Sequence, residues 1–156
     1  MNAYCKSALH QIQIAINSII GIMHELNSDD LHSRPTDMKY SIGELLEHIS
    51  LLPKADYKIS NGATEEEMSA FYSEHSFHTI KEIEGALINH YQFLEKRYLT
   101  YTDRELQEKM VSYWGATYSR YEWLLQIVAH LYHHRGQLHA MLVHCCRKDP
   151  QISLFE

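Results

Sequence analysis

The sequence predicts an all-α protein, a four-helix bundle with short extra helices in its connections, on three observations. Glycine and proline are scarce, six and three residues in 156, which leaves few of the turns a sheet-rich fold requires. Apolar residues recur at three- and four-residue steps in four long stretches, the period of an amphipathic helix. Serine- or threonine-led capping signals precede several helices.

The first long helix is predicted over residues 4–26, where Leu9, Ile12, Ile16, Ile19, Ile20, Met23 and Leu26 share one stripe. His10 and His24 flank that stripe and read as surface or boundary residues. Asn27-Ser28-Asp29-Asp30 ends the helix, and a polar link passes through Arg34-Pro35. The second helix opens at Ser41-Ile42-Gly43-Glu44, a capping box with serine as N-cap and glutamate three residues on. Leu45, His48, Ile49 and Leu52 form its stripe, and Pro53 lies near its end. Residues 54–75 read as a long connection. Within it, Thr64-Glu65-Glu66-Glu67 caps a short helix carrying Met68 and Phe71. A link of that length lets the second and third helices run parallel.

The third helix is predicted over 77–99, with Phe77, Ile80, Ile83, Leu87, Tyr91, Leu94 and Tyr98 on its stripe. His78 lies off that stripe, and His90 sits at its edge as a boundary histidine. Thr102 to Glu105 caps another short helix. Residues 111–118, VSYWGATY, are aromatic and β-prone, and Gly115 interrupts them; they read as an extended loop. Ser119-Arg120-Tyr121-Glu122 opens the last long helix, which ends before Pro150, and the tail QISLFE is expected to fray.

Length and charge bound the function. A chain of 156 residues suits one domain over 1–156, burying about 68–70% of its unfolded surface. A net charge of −6 with no run of lysine or arginine disfavours nucleic acid as a partner. No apolar run reaches the ~20 residues of a membrane span, so no membrane partner is expected. The N-terminus has no signal-peptide pattern, and a cytoplasmic location is expected. Cys5, Cys145 and Cys146 form no disulfide framework and no CxxC site.

The chemistry concentrates between Ala129 and Leu142, which hold four of the twelve histidines. Counting ~100° per residue from His134, Trp123, Ile127, His130, Leu138, Met141 and Cys145 fall within about 40°. His133 falls about 100° away and His139 about 140°. His130 and His134 therefore sit one turn apart at the centre of an apolar stripe. Buried imidazoles need partners, and one shared metal ion satisfies an i, i+4 pair. His48 on the second helix adds a third core-facing imidazole. Bundles build metal sites from facing helices, and three imidazoles suit Zn, Ni, Cu or Fe(II) better than Mg or Ca. Three protein ligands leave a position open, the arrangement of a catalytic site, where zinc-bound water has a pKa of about 7. The competing reading is a metal-free bundle whose histidines are core groups bonded to carbonyls or hydroxyls.

Other positions are weighed the same way. His133 is i, i+3 to His130 and also permits chelation, but its edge position counts against it. Leu131 stands where a metalloprotease HExxH motif needs glutamate, so spacing identifies no general base. Glu44, Glu47 and Tyr132 are candidates to bond the ligands from behind, Glu47 and Tyr132 reading as solvated. Arg135 could hold a substrate carboxylate; an ion pair with a carboxylate of the second helix or a loop is the preferred reading. Gly136 costs a helix about 1 kcal/mol relative to alanine, so it is read as a mark of close packing.

HLYHHRGQL (His130–Leu138), SIGELLEHI (Ser41–Ile49) and WGATYSR (Trp114–Arg120) together resemble segments of the DinB/YfiT-like metalloenzyme family, including its small Bacillus-type members. The resemblance runs in helix order over nearly the whole chain. The paired motifs of the second and fourth long helices are fairly specific; either alone would be weak. It implies a left-handed bundle with up-down-down-up topology. It also implies a divalent transition metal, nickel or zinc, held by His48, His130 and His134, and a homodimer. The family label implies a metal-dependent hydrolase of a small molecule, with metal-bound water as the nucleophile. Some relatives instead imply an S-transferase using a low-molecular-weight thiol. A non-enzymatic metal-binding bundle is the third reading.

Overall fold

A computed structural model describes residues 2–156. Four long helices build it: α1 (Ala3–His24), α2 (Ile42–Ser60), α4 (Ile80–Tyr98) and α6 (Arg120–Ala140). Two short helices, α3 (Glu65–Ser73) and α5 (Asp103–Leu106), lie in the connections. Serine or threonine caps start α2, α3, α4 and α5 with both arms of a capping box in place. The α6 start has one arm, Ser119 accepting from the Glu122 amide. The box at Thr79 and Glu82 starts α4 at Ile80, three residues later than the apolar stripe suggests.

Cross-helix contacts fix the directions. The Tyr91 hydroxyl donates to the Leu9 carbonyl and His24 meets Glu84, so α1 and α4 are antiparallel. Glu47 accepts from the Phe77 amide, His90 meets the Ser50 carbonyl and Tyr57 packs on Phe93, so α2 and α4 run parallel. Asn61 meets Arg120 while His48 meets His134, so α2 and α6 are antiparallel. Gln11 meets Tyr132 and Ser18 meets Arg135, so α1 and α6 run parallel. The topology is therefore up-down-down-up. One core joins the four helices, with Ile12, Ile19, Leu45, Ile49, Leu87, Leu94, Leu124 and Leu131 wholly buried. Each such side chain stabilises the fold by roughly 1.5–3 kcal/mol.

Several expectations are corrected. Residues 54–60 are not part of a connection: α2 runs straight through Pro53, which is buried inside it. An internal proline costs a helix about 3 kcal/mol. Tertiary burial offsets that cost, because Leu51, Ala55 and Ile59 form a second small core with Met68 and Phe71 of α3. The 111–118 stretch is a hairpin: β1 (Lys109–Val111) pairs antiparallel with β2 (Thr117–Ser119), Met110 opposite Tyr118. Gly115, at φ +92°, makes the turn that a side chain would strain.

Beyond Ala140 the chain continues into one wide π-helical turn, Met141–Cys145, closed by the Cys146 amide on the Met141 carbonyl. The tail does not fray. Ile152 lies 3.3 Å from where a Cβ on Gly21 would stand, and Leu154 packs against the main core. Gly43 permits the closest backbone approach, since a Cβ there would meet the Leu31 carbonyl at 2.9 Å. Gly136 is exposed with open space about it, so it marks no close packing.

Candidate metal centre

The three histidines of the stripe argument meet between α2 and α6. The ring nitrogens of His48, His130 and His134 that could ligate an ion all lie within 4.8 Å of one another. His48 Nε2 and His134 Nε2 are 3.1 Å apart. Two nitrogens on one tetrahedral ion, each at ~2.0–2.1 Å, stand about 3.3 Å apart. Ring centroids are separated by 4.7 Å (His48–His134), 4.8 Å (His130–His134) and 5.7 Å (His48–His130). His134 is buried, and His48 and His130 are half-buried.

Hydrogen bonds behind the rings fix which nitrogen is free. His130 Nδ1 lies 2.8 Å from Asp56 Oδ2, and His134 Nδ1 lies 2.9 Å from Gln137 Oε1. A carboxylate and an amide oxygen accept, so both Nδ1 atoms carry the proton and both Nε2 atoms keep a lone pair. Metal-ligating histidines are held in this way. Burial lowers the His48 pKa to about 4, with further lowering by His134 and His130. Burial also lowers that of His134, against an opposing pull from its bond to Gln137. At neutral pH these two rings are therefore uncharged, the form a metal binds.

Asp56 and Gln137 are the groups that sequence reasoning missed. Asp56 lay in the supposed connection because the helix was ended at Pro53; carrying α2 onward brings it level with His130. Gln137 is i+3 from His134 on the same helix, a spacing that could have found it.

The proposed supporting groups point elsewhere. Glu44 closes its capping box and accepts two bonds from Arg34, and the Arg34 guanidinium holds its carboxyl down to about 2. Glu47 is not solvated but accepts from the Phe77 amide. Tyr132 donates to Gln11 on the α1 side. Arg135 is buried against Ser18 and the Leu154 carbonyl, and it enters no ion pair among the described residues. His133 is exposed and outside the cluster. His90 is buried with Nδ1 on the Ser50 carbonyl, a satisfied core histidine.

One aromatic ring lies directly against the centre. Tyr40 stacks on His48 at 5.7 Å. Burial, with Asp56, Tyr113 and Tyr40 close by, pushes the Tyr72 phenol up to about 12, so it stays protonated. Tyr113 comes from the hairpin, which Trp123 of α6 secures by donating to the Met110 carbonyl at 3.2 Å.

Comparison with known proteins supplies a context for this geometry. The DinB superfamily profile matches residues 11–138. The crystal structure of a protein assigned to the DinB family of Exiguobacterium sibiricum 255-15 is similar over 99% of each chain, with a TM-score of 0.88 and 26% identity. No curated protein matches the sequence. Among the described residues, no helix is long and apolar enough to cross a membrane.

Proposed function

The chain belongs to the DinB superfamily, and from that premise we propose that it is a metal-dependent hydrolase of a small molecule, its ion held by His48, His130 and His134. One observation carries the reading. Two of the three rings spend their Nδ1 protons on Asp56 and Gln137, so their lone pairs converge with His48. The all-imidazole donor set fits zinc or nickel. When bound, such an ion supplies Lewis acidity to a substrate oxygen or sulfur at its open position. The chain's own residues orient: Asp56 holds His130, Gln137 holds His134, and Tyr72 offers a protonated hydroxyl.

A second reading, transfer of a low-molecular-weight thiol to an electrophile, is favoured by a different observation. Asp56, the carboxylate hydrogen-bonded into the cluster, already holds His130 through Oδ2. A thiol loses its proton near pH 8.5 unaided, bulk water near 15.7, so the thiol reaction depends less on a base.

Elemental analysis of untagged protein tests the shared part. About one ion per chain is expected in wild type and in His133→Ala. Its loss is expected in His48→Ala, His130→Ala and His134→Ala. Metal absent from reconstituted wild type, or retained in all three variants, would sink the site. An ester and amide panel, run beside thiol conjugation to an electrophile, then separates the two reactions. Stoichiometric metal without turnover in either panel would leave a metal-binding bundle.

A further inference from the structure

The centre adjoins a pocket of ≈ 550 Å³ between the 35–40 loop and the extension of α6. Two of its lining residues belong to the centre as well: Tyr40, which stacks on His48, and Gln137, which holds His134. The pocket is amphipathic. Pro35, Met141 and the Tyr40 ring give it an apolar wall, and Lys39 is its charged residue. Its size is that of a small-ligand site.

Charge sets this pocket apart. The chain carries 20 acidic residues and a net charge of −6. Four other pockets, at Glu67, Glu44, Glu82 and Glu156, are each lined by at least one glutamate. This one, among the described residues, is lined by none. Lys39, moreover, enters no ion pair among them. A carboxylate in such a cleft repels an anion, so its absence from the cleft beside the centre selects the ligand's charge.

We propose that this pocket holds the body of the substrate, and that the substrate is a small organic anion with an apolar or aromatic portion. The anionic group meets Lys39, the apolar portion lies along Met141 and Tyr40, and the reacting end reaches the histidines past Gln137. The inference rests on the metal-centre reading above and adds the class of substrate to it.

Cys145 is a built-in reporter, because it lines the pocket and is exposed, whereas Cys5 is buried and Cys146 half-buried. Its alkylation by iodoacetamide, which forms an S–C bond and releases iodide and a proton, is followed by mass spectrometry. Benzoate and benzyl alcohol, an anion and a neutral molecule of like size, are the protecting probes, with Cys146 as internal reference. Benzoate is expected to slow Cys145 labelling several-fold and benzyl alcohol to leave it unchanged, with ion loaded and after chelation alike. Lys39→Gln is expected to weaken the benzoate protection about two- to fivefold, the range of one exposed ion pair. Equal protection by both probes, protection by neither, protection confined to the loaded protein, or full protection in Lys39→Gln would each overturn the proposal. Metal content measured on the same samples keeps the two readings apart. Metal without protection sinks the pocket alone; protection without metal sinks the histidine centre.

Discussion

His134 and Arg135 are adjacent on α6, and both are buried, yet they face opposite halves of the bundle. Arg135 turns to α1 and the tail. Its guanidinium donates to Ser18 Oγ at 2.9 Å and to the Leu154 carbonyl, and it lies 4.4 Å from the Tyr132 ring and 4.6 Å from that of Phe155. His134 turns to α2. Its Nδ1 is satisfied by Gln137, but its Nε2 is aimed at two other imidazoles. Every Arg135 contact described above ends inside the chain, and such a group is scaffold. His134 is polar and buried, and its Nε2 meets another imidazole, His48 Nε2, at 3.1 Å. His90, whose Nδ1 donates to a carbonyl, belongs with Arg135 in this respect.

That contrast can be broken by exchanging the damage. The largest effect is expected from His134→Ala, which should abolish metal retention while the melting temperature of chelated protein stays near wild type. A variant that keeps its metal would erase the distinction. Arg135→Ala should do the reverse, costing about 3 kcal/mol of unfolding free energy, because hydrogen bonds to a charged group are lost and their partners left buried. Chemical denaturation measures the loss, and metal per folded chain should be unchanged. Next in size, Asp56→Asn should weaken metal binding about 10- to 100-fold, the usual cost of losing a partner behind a ligand. A competition titration with a chelator reads it, and unaltered affinity would remove Asp56 from the site.

The smallest expected effect is a slope. Unfolded, the His48 ring takes its proton near 6.5; folded, only near about 4. Between those values the unfolded chain binds more protons, so stability is complete above about pH 6.5 and drains as pH falls toward 4. His134 and His90, lowered by burial, act with the same sign. Melting temperatures of chelated His48→Gln should therefore fall less steeply than wild type over that window. An identical slope would mean that His48 pays no burial penalty.

Legibility followed the range of the interaction. The four long helices and most of their starts are local events, written in apolar spacing and in pairs such as Ser41 and Glu44. The histidine cluster was legible because two of its members share one helical face and the third shares a face with Leu45 and Ile49. What escaped depended on distant partners. Pro53 reads as a stop until Met68 and Phe71 are seen to hold the next two turns in place. Asp56 was lost with those turns. The hairpin was hidden because two three-residue strands are too short to show a period. Arg135 could not be assigned until the tail was seen to lie across it.

The wide turn at Met141–Cys145 acts as a phase adjuster. A regular helix advances each residue by about 100°, so removing one residue there would swing all that follows by that angle. Ile152 would leave Gly21, Leu154 would leave the main core, and Arg135 would lose its carbonyl. The turn should therefore accept no change in length, and no polar exchange at Leu142, which is buried in the main core. Its residue count, more than its composition, is what evolution can least afford to edit.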